Sequence, residues 1–154
     1  SQQGLQAPFP LIVYNGACIR DNVSGEILLS HCFQEDIHLL LDPFLNNHLY
    51  PIVYAFIDGE EKFSFIPEKC TPGMLEFIES RKGDPRIRII HHLKDFYVGQ
   101  IFYVTLIDET DKLKPFYAYY QKQYHCLFQK DIYTNQQWLE IMPQGTSKHM
   151  LLNN

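Results

Sequence analysis

The chain has 154 residues, 45% of them hydrophobic and 14% aromatic, with a formal net charge of −5. That length gives one domain, or one domain with a short piece of another, and the apolar share is enough for a core. An acidic balance without a basic tract speaks against nucleic acid as a partner, and no apolar run is long enough to span a bilayer. Ser1 to Pro10 has neither a charged start nor an apolar centre, so no signal peptide is expected and the cytoplasm is the expected compartment. Cys18, Cys32, Cys70 and Cys126 lie far apart and are expected to be reduced, buried small residues.

In chain order, residues 11–14 (LIVY) form a short apolar run of the kind buried on both faces of a sheet. Asn15-Gly16-Ala17 interrupts it, and the glycine lets the backbone turn sharply or approach a ligand closely. Residues 17–20 and 26–31 predict a hairpin. Ile37, Leu40, Leu41, Phe44, Leu45 and His48 recur at helical spacing and predict a helix over 34–48, with Pro43 kinking it or delaying its regular part. Strands are expected over 52–57 and 62–66 around Asp58-Gly59, with Glu60-Glu61 at a solvated hairpin tip. Thr71-Pro72 opens a second helix with Met74, Leu75, Phe77 and Ile78 on its packing face, and Gly83-Asp84-Pro85 ends it. Residues 86–98 read as irregular.

Residues 100–107 (QIFYVTLI) form a strand. A helix over 110–123 follows, with Pro115 early in it and the acids of 108–111 serving its cap and dipole. Strands over 124–130 and 137–142 close a hairpin. In the latter, Leu139 and Ile141 face one way and Trp138, Glu140 and Met142 the other. Trp138 and Glu140 have two readings: residues on an open, ligand-facing side of the sheet, or plain sheet packing for Trp138 and a solvated strand face for Glu140, the reading expected here. Pro143 stops the ladder, Gly145 allows a turn, and Thr146 or Ser147 suits a helix cap. Lys148 then lies beside free backbone N–H groups, a place that suits a phosphate; its other reading is an ordinary surface lysine.

Residues 34–66 and 110–142 thus repeat one pattern, helix–strand–strand. The expected fold class is α+β: an antiparallel sheet built from these two units with helices on one face. His91-His92, His31-Cys32 and His125-Cys126 lack the compact spacing of a zinc site, so no metal site is expected. Cys126 and His125, adjacent on a strand, point to opposite faces.

The segments IVYNGACI and DIYTNQQWLEIMPQGTSK resemble those of the Cof-type phosphatases of the haloacid dehalogenase-like superfamily. The resemblance covers nearly the whole chain. It implies a stub of Rossmann-like core at 1–16, an α+β cap domain at 17–142, and a return linker and core stub at 143–154. It implies Lys148 as the catalytic lysine that orients phosphate, and Asn15 with Gly16 lining the substrate site; Asn15 also suits a simple turn. In that family a phosphoryl group passes to an Asp carboxylate and then to water, with Mg²⁺ and the lysine offsetting its charge. This sequence has no DxD followed by Thr or Ser and no GDxxND, and His149 follows Lys148 where a small residue is usual. The expectation is therefore a substrate-specificity cap of a Mg²⁺-dependent phosphatase of small phosphorylated metabolites, the substrate being reached through a core that is missing. These residues alone are expected to be inactive and to hold no metal. The other reading is a non-catalytic small-molecule-binding or self-associating α+β module, for which a homo-oligomer is compatible.

Overall fold

In the computed structural model the described residues are 32–34 and 36–144. The expected strand 11–14, the hairpin within 17–31 and the turn at 145–148 lie outside them, as do Asn15, Gly16 and Lys148.

Helix α1 (His38–Asn46) is followed by β1 (Ile52–Ile57) and β2 (Glu60–Phe65). Then come α2 (Pro72–Glu79), β3 (Ile87–Ile89) and β4 (Gln100–Asp108). Helix α3 (Thr110–Tyr120), β5 (His125–Lys130) and β6 (Gln137–Met142) complete the module. The six strands form one sheet in the order β3-β2-β1-β4-β6-β5. All neighbours are antiparallel except β2 and β3, which run parallel. The α+β class and both helix–strand–strand units are present. The units do not pair directly: β4 lies between them, with β1 on one side and β6 on the other.

The hairpin turn at Asp58-Gly59 has positive φ at both residues, 53° and 80°. That is the twist-matched two-residue turn, and it lets the ladder run down to Glu60 opposite Ile57. Helix α1 is shorter than the expected 34–48. His48 adopts φ 60° and the Leu49 N–H reaches back to the Phe44 carbonyl at 2.9 Å, a left-handed C-terminal cap that ends the helix. Strand β3 falls within the stretch that reads as irregular, and its pairing with Phe63, Ser64 and Phe65 is what makes it a strand.

The helices of the two units share one sheet face, as expected. Leu40, Leu41 and Phe44 of α1 and Leu113 and Tyr120 of α3 pack there on Val53, Ala55, Val104, Leu106, Leu139 and Ile141. Helix α2 lies on the other face, where Met74 joins Tyr54, Phe63, Phe102 and Ile107. The Thr71 hydroxyl fixes its start, accepting from the Met74 N–H at 3.2 Å and donating to the Ile107 carbonyl at 2.6 Å. Gly73 makes the close approach possible, since a Cβ there would meet Ile107 Cγ2 at 2.6 Å.

Pro43 sits inside α1 and Pro115 inside α3, as its sixth residue rather than in its first turn. Pro43 has no N–H to give to the Leu39 carbonyl. The buried Tyr120 hydroxyl covers that region, donating to the Leu40 carbonyl at 2.9 Å and lying 3.3 Å from that of Leu39. Tyr120→Phe is expected to cost about 1–2 kcal/mol, the loss of one buried hydrogen bond that the hydroxyl shares between the Leu40 carbonyl and the Leu39 carbonyl that Pro43 leaves without its helical donor. Urea denaturation of the two proteins checks this; a loss under about 0.3 kcal/mol would mean the proline gap needs no bridge.

Candidate functional site

The site begins with the way the chain enters and leaves the sheet. The Phe33 N–H donates to the Ile101 carbonyl at 2.8 Å, which brings the entering chain to the first half of β4. Strand β6 runs antiparallel to β4 with Ile141 opposite Val104, so Met142 and Pro143 leave toward the same half of β4. The two connections therefore lie side by side. The segments that hold Asn15, Gly16 and Lys148 lie beyond these two points, and the structure does not describe them.

The sheet face that carries α2 is less apolar than its opposite. Between β1 and β4 the register shifts at Tyr54/Ala55, with Tyr54 opposite Tyr103 and Ala55 opposite Ile101. Phe102 is the extra residue of this bulge, and Phe102 and Tyr103 both join the α2 side. Tyr54, Tyr103, Thr105 and Glu140 form a polar row across the middle of that face. The Tyr103 hydroxyl donates to Glu140 Oε1. Burial first, and the Glu140 charge second, hold the Tyr103 phenol well above its ordinary range. Burial likewise raises Tyr54. Both hydroxyls therefore remain donors at any physiological pH.

Glu140 corrects an expectation. It is 6% exposed rather than part of a solvated strand face. The alternation that puts it beside Trp138 and Met142 also turns it inward, and the Tyr103 hydroxyl makes that burial tolerable. Glu61 is a second correction: Glu60 is exposed at the hairpin tip, while Glu61 is buried against Arg86. Trp138 packs on the sheet as expected, edge-on to Phe77 with centroids 5.5 Å apart. Together they wall a cavity of about 200 Å³ between α2 and the β5–β6 loop, whose rim includes Glu76, Ser80, Asp131 and Thr134.

Cys126 packs with the α1/α3 core, and burial pushes its thiol up to about 12, which removes it as a thiolate nucleophile. Cys32, Cys70 and Cys126 are all free thiols. Among the described residues no three His, Cys, Asp or Glu side chains converge as metal donors. The oxygen-rich set that Mg²⁺ requires is thus not among them, and no step through Mg²⁺ follows from these residues. No helix among the described residues is long and apolar enough to cross a membrane.

A profile of the haloacid dehalogenase-like hydrolases matches residues 2–154. The chain belongs to that family. Among solved structures, this haloacid dehalogenase-like chain is similar to the crystal structure of TM0651 from Thermotoga maritima, at 15% identity and a TM-score of 0.46. That match covers 74% of this chain and 40% of the other, so the chain spans well under two thirds of that protein's length. A comparison with curated proteins found no match. The resemblance carried by residues 12–19 and 131–148 is therefore matched by a family-wide signal over nearly the whole sequence. The Tyr103–Glu140 pair was not legible at that level, because its members are 37 residues apart. Only the alternation over 137–142 hinted that Glu140 shares a face with the aromatic residues.

Proposed function

We propose that the described residues are the cap of a Cof-type, Mg²⁺-dependent phosphatase of small phosphorylated metabolites, with the module spanning 17–142 between segments of a catalytic core. The observation that carries this reading is the adjacency of the two connections on β4, at Phe33–Ile101 and at Ile141–Val104. A module joined to a core through two neighbouring connections can swing as a unit, as a lid must. Helices α1 and α3 close one sheet face with apolar side chains. The other face carries α2 and the polar Tyr54, Tyr103 and Glu140 row, whose members are at most 6% exposed. Closure would exclude water and select the organic part of the ester.

On this reading Lys148 sits at the return of the chain and draws phosphate, while Asn15 and Gly16 line the same place from the other connection. A lysine alone attracts phosphate and does not turn it over. The sequence supplies no DxD nucleophile loop and no GDxxND loop, so these 154 residues by themselves are inactive. The test is phosphate release with Mg²⁺ across a panel of phosphate esters, with Lys148→Ala alongside. No release above the blank is expected from either protein. Turnover that disappears in Lys148→Ala would show a complete site within the chain and overturn the inactive-cap reading.

A further inference from the structure

The loop between β5 and β6 is held from within. Asp131 Oδ1 accepts from the backbone N–H groups of Tyr133 at 2.8 Å and Thr134 at 3.3 Å. The Asn135 N–H donates to the Asp131 carbonyl, and the Asp131 N–H donates to the Gln136 carbonyl, each at 2.8 Å. Asn135 takes the left-handed conformation, φ 63°, that asparagine tolerates well. This ordered turn presents Ile132 and Tyr133 to solvent, 85% and 91% exposed. The next most exposed large apolar side chain among the described residues, Leu39, is at 65%. Small polar residues would satisfy the same turn. Two bulky apolar side chains in water forgo about 1.5–3 kcal/mol of burial each, which a partner surface would recover.

The complementary feature lies next to it. The cavity of about 200 Å³ is walled by Phe77 and Trp138, and Asp131 and Thr134 of this same loop form part of its rim. Its size suits one aromatic side chain. Glu76 and Ser80 at the rim offer acceptors to a phenolic hydroxyl. Tyr133 does not occupy the cavity of its own chain, since it is almost fully exposed.

We propose that this tip and this cavity are the two halves of one self-complementary contact. Tyr133 of one copy enters the Phe77–Trp138 cavity of a second copy, which returns its own Tyr133, with Ile132 packing at the rim. A two-fold contact requires knob and hole on the same patch, and sharing Asp131 and Thr134 puts them there. An aromatic side chain seated in an aromatic-walled pocket on a preorganised loop is the kind of anchor that dominates small interfaces. The patch is small, so the affinity is on the order of micromolar. This pairing does not depend on the cap reading.

Trp138 is the only tryptophan, so its emission reports the cavity. The experiment is light scattering and Trp138 fluorescence on the whole chain from low to high micromolar concentration. Mass is expected to rise from one chain to two, with the emission changing in step. Tyr133→Ser is expected to raise the dissociation constant by at least about 30-fold, the size of a hot-spot loss. Ser80→Tyr, which fills the cavity from its rim, is expected to do the same while leaving Tyr133 intact. Tyr133 is exposed, so an unchanged circular dichroism spectrum and melting point will separate lost pairing from lost fold. A monomer at every concentration, a dimer indifferent to Tyr133→Ser, or dimerisation without an emission change would each overturn the proposal.

Discussion

Gly99→Ala is expected to destabilise the fold by about 3 kcal/mol or more, while Gly59→Ala and Gly83→Ala cost about 1–2 kcal/mol each. All three glycines have positive φ, 85°, 80° and 88°. An alanine at any of them meets the left-handed penalty. Only at Gly99 is there a second cost: its Cβ would meet the Phe56 carbonyl oxygen at 2.5 Å and Ile57 Cγ1 at 2.7 Å. At Gly59 and Gly83 nothing lies within 4 Å. The Phe56 carbonyl is backbone in the β1–β4 ladder, next to Gln100, so it cannot rotate away as a side chain would. The bulge that turns Phe102 and Tyr103 to one face lies just beyond. Relief of the clash would therefore pull on the register that sets the polar row. Denaturant midpoints of the three variants decide it. Equal losses at Gly99 and Gly59 would mean that the close approach contributes nothing.

The same contrast shows what a sequence reveals of this fold. Strands β1 and β6 have the bounds that alternation and turn residues predict, because both depend on neighbours within a few positions. Thr71-Pro72 fixes the start of α2 for the same reason. Strand β3 carries no comparable signal: IRI becomes a strand because Phe63, Ser64 and Phe65 offer it a parallel edge. The side of the sheet that α2 would take was equally hidden, since it rests on the contact of Gly73 with Ile107. For the site, the family was legible in two short segments, whereas the burial of Glu140 and Glu61 was not. A carboxylate reads as solvated unless its partner is known, and those partners, Tyr103 and Arg86, are 37 and 25 residues away. Asn15, Gly16 and Lys148 stand outside the described residues and remain the proposal's part of the site.

The Glu61 cluster should make stability fall as pH rises from about 4.5 to about 8, and Arg86→Met should cost about 3–5 kcal/mol at the alkaline end of that range. Arg86 faces two carboxylates. Its Nε and Nη2 grip both oxygens of Asp84 at 2.9 and 2.5 Å, while Nη1 reaches Glu61 Oε2 at 3.1 Å. One guanidinium balances one carboxylate, and Asp84 holds it with the better, two-pronged geometry. Glu61 is the more buried of the two acids, with its side chain 3% exposed. Burial first, and the Asp84 charge second, push its carboxyl up to about 8 from an ordinary 4.5. Between those values the folded protein keeps a proton that the unfolded chain has released. Folding is then favoured by acid in this window, and the contribution is fully present below about 4.5 and lost as pH passes about 8. Glu61→Gln, which keeps an acceptor and removes the charge, is expected to flatten that slope. Arg86→Met removes the cation beside Glu61, so its cost should be smaller at pH 5, where the carboxyl is neutral, and larger at pH 9, where an anion must be buried. Glu61→Gln combined with Arg86→Met should recover part of the alkaline loss, because the charge that lacked its cation is gone. Melting temperatures of the three variants and the parent across pH 5 to 9 test this. A parent whose stability rises through the window would show that Glu61 is ionised in the fold, with Arg86 rather than a proton neutralising it.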